Sequence, residues 1–305
     1  MYKRQPHYYV HLLAAASELN RLPREAAHAI HKAANSLLKE YRVKPGRCAW
    51  PLVEAVNVYA NLLTKHWMHF SKGERESMRE TMCSILEELE GQLRVVAEAY
   101  ALEAALATGF EPCGAGEPVG RAKELLGELE RMEREEPDEQ AREWVVACSL
   151  VRPEDARGRC EKFEVLVKKL RGVLASSLAK YAKENDDLEA AKRFFEEAAE
   201  TSRRLGDWFD YLIDRSRVTR CSLLRAGSLE DLKNESKMLE EIWMEAEERV
   251  REEHWAPTVL DLKGKAFILA EYLVHLALEG RREEVLRLLG EKGWLLGYYL
   301  SLIHI

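Results

Sequence analysis

The chain is predicted to be all-α, and three observations carry that prediction. Ala, Leu, Glu, Arg and Lys fill long stretches of its 305 residues. These side chains lose little freedom in a helix. Helix breakers and strand formers are sparse, with 17 Gly, 9 Pro and only six Thr. Apolar residues also recur at three- and four-residue steps, as along Met78, Met82, Ile85, Leu89, Leu93, Val96 and Tyr100. Hydrophobic residues make up 47%, enough to bury a core, so the chain is not a disordered one.

The elements follow in order. Lys3 and Arg4 before Tyr8–Ala16 outline a secretion signal, but His11 interrupts the apolar stretch and the helical pattern runs on. Pro6–Asn20 is therefore a first helix. Pro23 opens a second, to about Tyr41, because proline fits the first helical turn. Lys44–Arg47 is a turn, and Pro51 starts a third helix to Phe70. Ser71 and Glu74 have capping-box spacing and start a long fourth helix ending near Gly109. Phe110–Gly120 holds two prolines and three glycines and is the clearest break. Helices resume at about Arg121–Arg134, Pro137–Val151, Pro153–Glu184, Asp187–Leu205, Asp207–Ala226, Ser228–Glu253, Pro257–Leu278 and Arg281–Leu289. A short segment, Gly293–Leu300, closes the chain. The organisation is an N-terminal helical region at 6–109, a linker at 110–120 and a helical array at 121–300. Short turns force successive helices into antiparallel hairpins, and strings of hairpins stack as solenoids.

Charge divides unevenly. Residues 1–72 carry a net +7 and six of the nine histidines, and the remainder carries −14. Asn and Gln total nine, a thermophile-like pattern beside so many Glu, Arg and Lys. No apolar run is long enough to span a bilayer. The cysteines are Cys48, Cys83, Cys113, Cys148, Cys160 and Cys221, with no CxxC pair to build a zinc site. They read as free buried thiols of a cytoplasmic protein.

Asp186–Ala198 resembles the second helix of a tetratricopeptide repeat. Ala191, Phe195 and Ala198 occupy that family's small, large and small packing positions, and Leu178 and Ala179 match its first-helix pair. Gly227 and Gly280 mark comparable turns, though Ser236 stands where the second unit should carry an aromatic. The resemblance implies a right-handed TPR-like array with a groove for a peptide or a partner helix. Met1–Gln5 and Ser301–Ile305 resemble translated sequencing-adapter sequence, which implies a metagenomic fragment of a longer chain.

Several chemistries have partial signatures in the sequence and lack the rest. His7/His11, His28/His31 and His66/His69 are each spaced to share a helix face, as two metal-binding imidazoles would be. Glu25 and His28 form a lone ExxH, and a di-iron bundle needs two such motifs. Arg21/His28 and Arg24/His31 resemble the Arg–His pair of HEPN ribonucleases, which implies action on RNA. Gly114–Gly120 has the wrong spacing for a dinucleotide loop and follows a helix. No phosphate-binding loop or nucleophile elbow is present. No catalytic, cofactor-binding or metal residue is therefore assigned, and no cofactor is expected.

The expected function is a non-catalytic protein-interaction, scaffold or regulatory module in the cytoplasm, with a protein or peptide partner. The alternative is an RNA-binding or RNA-cleaving, HEPN-like domain using the basic segment. For RNA, Lys32, Lys39, Arg42, Lys44, Arg47 and Lys65 should form one exposed patch, with Tyr41, Trp50, Tyr59 and Trp67 available for stacking. In a structural role these cations should pair with glutamates.

Overall fold

The computed structural model describes residues 23–43, 49–109, 113, 117–142, 163–252 and 259–303. Its regular elements, among the described residues, are helices with no strand. They are α1 (Pro23–Val43), α2 (Ala49–Lys65), a 3-10 turn (Trp67–His69), α3 (Lys72–Glu88), α4 (Gly91–Thr108) and α5 (Pro118–Met132). There follow α6 (Phe163–Glu184), α7 (Leu188–Leu205), α8 (Trp208–Arg225), α9 (Leu229–Glu252), α10 (Val259–Leu278) and α11 (Arg282–Ile303). The expected Pro6–Asn20 helix, the Lys44–Arg47 turn, most of segment 110–116, and residues 143–162 lie outside the described residues. The chain forms two compact units, residues 1–177 and 178–305, and the division falls within α6.

The first unit is built on α2. Its sequence is apolar nearly all round, and a helix of that kind must be buried on all sides. Leu52, Val53, Ala55, Val56, Tyr59, Leu62 and Leu63 are all buried, with α1, α3 and α4 packed around them. A fully buried Val, Leu or Ile stabilises by roughly 1.5–3 kcal/mol before entropy is counted. Helix α1 contributes an inner face of Ala26, Ile30, Ala33, Ala34, Leu37 and Tyr41 at helical spacing. Helix α5 begins at Pro118, three residues before the predicted Arg121, and packs on α4.

Three expectations for this unit need correction. The long helix predicted from Gly73 to Gly109 is two helices. Leu89 and Glu90 are extended, and Gly91 takes φ +58°, which only glycine adopts without strain. The apolar stripe survives the break: Met78 to Val96 are buried and Tyr100 is half-buried. The helix predicted to run to Phe70 stops at Lys65 and tightens into the 3-10 turn. Finally, Cys83 of α3 and Cys113 form a disulfide, with Cα atoms 5.0 Å apart. Spacing along the chain carried no sign of this proximity. Among the described residues Cys221 is a free, buried thiol. Disulfides belong to oxidising compartments and to the interiors of hyperthermophiles. The cysteines therefore no longer argue for a reducing cytoplasm.

In the second unit, α7 packs on α8, α8 on α9 and α10, α9 on α10, and α10 on α11. One turn is used three times. Asp186, Gly206 and Gly280 are left-handed, at φ +60°, +75° and +75°. The next N–H in each case donates back to the helix it leaves: Asp187 to Ala182, Asp207 to Ser202 and Arg281 to Leu276, each at 2.9 Å. This is the Schellman stop, which satisfies orphan carbonyls and reverses the chain. Asp187 then caps α7 by accepting from Ala190 N–H at 3.0 Å. Gly227, expected to be an equivalent turn, is not left-handed; α8 ends on Ala226 instead. Arg281–Leu289 and Gly293–Leu300, expected to be separate, form one helix, α11.

The segment that resembles a tetratricopeptide helix buries the residues that carry the resemblance. Ala191 and Ala198 are fully buried, and Phe195 is 1% exposed. Ala191 and Phe195 cluster with Ala179 of α6 and Cys221 of α8. Ser236, expected at the aromatic position of a second unit, is also buried, and its hydroxyl has no hydrogen-bond partner among the described residues. Helices α8 and α10 meet closely at Gly264, where a Cβ would stand 3.2 Å from Ile213 and 3.3 Å from Phe209.

Candidate functional site

The structure scatters the histidines. His28 and His31 are exposed on α1, and His31 Nδ1 lies 3.3 Å from the Tyr59 hydroxyl. His66 and His69 flank the 3-10 turn with ring centroids 6.1 Å apart. Burial first, then the charges of His69 and Lys65, holds His66 below the ordinary imidazole range. Arg24 donates to the His69 carbonyl at 3.0 Å. Among the described residues no three His, Cys, Asp or Glu side chains converge on a point. His7, His11 and Arg21 lie outside the described residues.

The expected basic patch is likewise divided. Lys32 and Lys39 are exposed, Arg42 pairs with Glu88 at 2.7 Å, and Lys65 donates to Asn61 at 2.7 Å. Lys44 and Arg47 lie outside the described residues. Tyr41, Trp50 and Tyr59 are core residues, and Trp67 alone of the four aromatics is open, at 49% exposure. Burying Tyr59 raises its hydroxyl far above the usual phenol range.

What the sequence reading missed is a cavity of about 550 Å³ beside Trp67. Its walls are the end of α2 (Leu63, Thr64), the 3-10 turn (Trp67), the first two turns of α3 (Lys72, Arg75, Glu76, Arg79) and the end of α4 (Ala107, Thr108). Lys72, Arg75 and Arg79 follow i, i+3, i+7 spacing, so one helix face presents all three. That spacing is legible in the sequence, where residues 71–74 also form a capping box. The box is present: Ser71 Oγ accepts from Glu74 N–H at 3.3 Å, and Glu74 Oε2 accepts from Ser71 N–H at 2.7 Å. Arg75 lies over the Trp67 ring, 5.3 Å from its centroid. Thr64 and Thr108 donate to the backbones of their own helices, to Ala60 and Ala104.

The second unit concentrates charge between helices. Glu247 of α9 is buried between Lys265 of α10 and Lys292 of α11, the latter at 3.1 Å. Burial works to raise its carboxyl, but hydrogen bonds from the two lysines hold it below its ordinary value. Arg220 of α8 reaches Glu271 of α10 at 2.6 Å. Arg217 lies between the rings of Phe195 and Phe267 and pairs with Asp214 at 2.7 Å. These links tie α8 to α10, α9 to α10 and α9 to α11. Large apolar side chains stand exposed on the last hairpin: Val274, Leu278, Leu286, Leu289 and Trp294, the last at 59%. Among the described residues no helix is long and apolar enough to cross a membrane. No protein-family model, curated protein or solved structure is detectably similar to this chain.

Proposed function

We propose that the chain is a non-catalytic protein-interaction module. In this reading the second unit is a TPR-like, right-handed stack of helical hairpins that holds a peptide or a partner helix. Support comes from the recurring Schellman turns, the buried Ala191–Phe195–Ala198 pattern and the contact of α8 with both α9 and α10. Contact with neighbours only is how repeat arrays are built. The observation that carries the functional part is the exposed apolar group on α10 and α11. A patch of large apolar residues open to water marks a surface that another molecule covers.

The test is a pull-down from native lysate with the full chain and a Leu286→Glu, Trp294→Glu double variant, with and without nuclease. The expected result is a protein captured at constant stoichiometry, retained after nuclease and lost with the variant. Circular dichroism should show the variant still folded. Capture that survives the double variant, or that disappears with nuclease, overturns the reading.

A further inference from the structure

We infer that the cavity beside Trp67 in the first unit is a binding site for a small phosphorylated ligand with a flat apolar group, of the nucleoside monophosphate class. The charge arrangement is the first reason. Four arginines elsewhere in this unit are each held closely by a carboxylate. Arg121 is held by Glu98 at 2.6 Å and Glu128 at 2.8 Å, Arg42 by Glu88 at 2.7 Å, Arg134 by Glu130 at 2.9 Å and Arg171 by Glu133 at 3.1 Å. Arg75 is stacked on an indole, and Arg79 forms no ion pair among the described residues. Lys72 approaches Glu76 only at 4.0 Å. Three cations thus face one carboxylate in a concave site. A phosphate monoester carries about −1.5 to −2 charges at neutral pH, which balances that excess. Guanidinium groups also match phosphate oxygens in pairs.

The second reason is shape. A volume of about 550 Å³ lies within the range of small-molecule sites. Leu63, Ala107 and the indole of Trp67, with Arg75 over one of its faces, supply an apolar wall of the cavity. A flat base can lie against that wall while its phosphate meets α3. The capping box occupies backbone donors at the start of α3, so recognition rests on side chains and not on the helix terminus. This assignment is independent of the partner surface on α10 and α11.

The experiment is titration calorimetry on the full chain at about 50 mM salt, where electrostatic binding is little screened. The probes are 5′-AMP, GMP, CMP and UMP, with inorganic phosphate and a ten-nucleotide RNA alongside. The expected result is one nucleotide per chain with a Kd below about 1 mM. Arg75→Gln and Arg79→Gln should each weaken it at least about tenfold, and Glu76→Gln should tighten it several-fold. Arg94→Gln, on the exposed face of α4 outside the cavity, should change nothing. Absence of nucleotide binding, binding indifferent to Arg75 and Arg79, or inorganic phosphate binding as tightly as any nucleotide overturns the inference. RNA bound without mononucleotides also overturns it and points to a nucleic-acid surface.

Discussion

Gln92 and Asp138 hold each other by two reciprocal hydrogen bonds across 46 residues of sequence. The Asp138 carboxylate accepts the Gln92 backbone N–H at 2.8 Å, and the Gln92 side-chain carbonyl accepts the Asp138 backbone N–H at 2.9 Å. Asp138 also accepts from Ala141 N–H at 2.8 Å, so one carboxylate serves two helix starts. Each bond satisfies an N–H that a helix terminus leaves orphaned. The arrangement needs Gly91, because a Cβ there would stand 2.4 Å from Asp138 Oδ2.

Gly91→Ala should therefore destabilise on two counts. The left-handed backbone costs about 1–2 kcal/mol for a residue with a Cβ, and the carboxylate must move. Asp138→Ala should cost about 0.5–2 kcal/mol through the lost cap. In urea unfolding the double variant should lose less than the sum of the two, because both act on one clasp. Full additivity would show that the clasp is not formed.

Ala191→Leu should destabilise by roughly 1–3 kcal/mol, since a fully buried site between α6 and α7 has no room for three more carbons. Arg193→Leu, two residues on and exposed, should change stability by less than about 0.5 kcal/mol. Equal effects at the two sites would show that α7 presents a different face to its neighbours.

Replacing Cys83 and Cys113 by serine should lower stability by about 3–4 kcal/mol on the chain-entropy scale for a loop of 30 residues. A reducing agent should lower the melting temperature of the parent and leave the double variant unmoved. Peptide mapping without reductant should recover the linked pair. Cys221 should resist alkylation in the folded chain, because burial raises its thiol and slows thiolate formation.

His275 should make the second unit acid-sensitive. It is 1% exposed, its Nε2 has no hydrogen-bond partner among the described residues, and burial pushes its pKa down to about 4. Glu279 opposes that shift and Arg220 reinforces it. The unfolded chain binds a proton near pH 6.5 and the folded chain does not, so stability falls as pH drops from about 6.5 to about 4. At about 1.4 kcal/mol per pKa unit the loss attributable to this ring is about 3 kcal/mol. His275→Phe keeps the ring and removes the proton site. Chemical denaturation at about pH 7 and about pH 4.5 should show a smaller fall for the variant, and an equal fall would exclude His275 as the cause.

Local chemistry made much of this protein legible in one dimension. Helix-favouring composition, the Ser71–Glu74 box, Pro23 in the first turn of α1 and the Ala191–Phe195–Ala198 pattern each depend on residues within a few positions of one another. Their energies are set before any distant segment arrives, and the helices formed accordingly. Features requiring distant partners were hidden. The apolar stripe from Met78 to Tyr100 has the same period whether the helix is whole or broken. Asp138, from far along the chain, clasps the start that follows the break at Gly91. Cys83 and Cys113 were two of six unpaired letters until the tertiary fold set their Cα atoms 5.0 Å apart. Trp67, Lys72, Arg75 and Arg79 acquired a shared cavity only when the ends of α2 and α4 closed around them. Helical periodicity depends on neighbours in sequence, whereas concavity and charge balance depend on what the fold brings together.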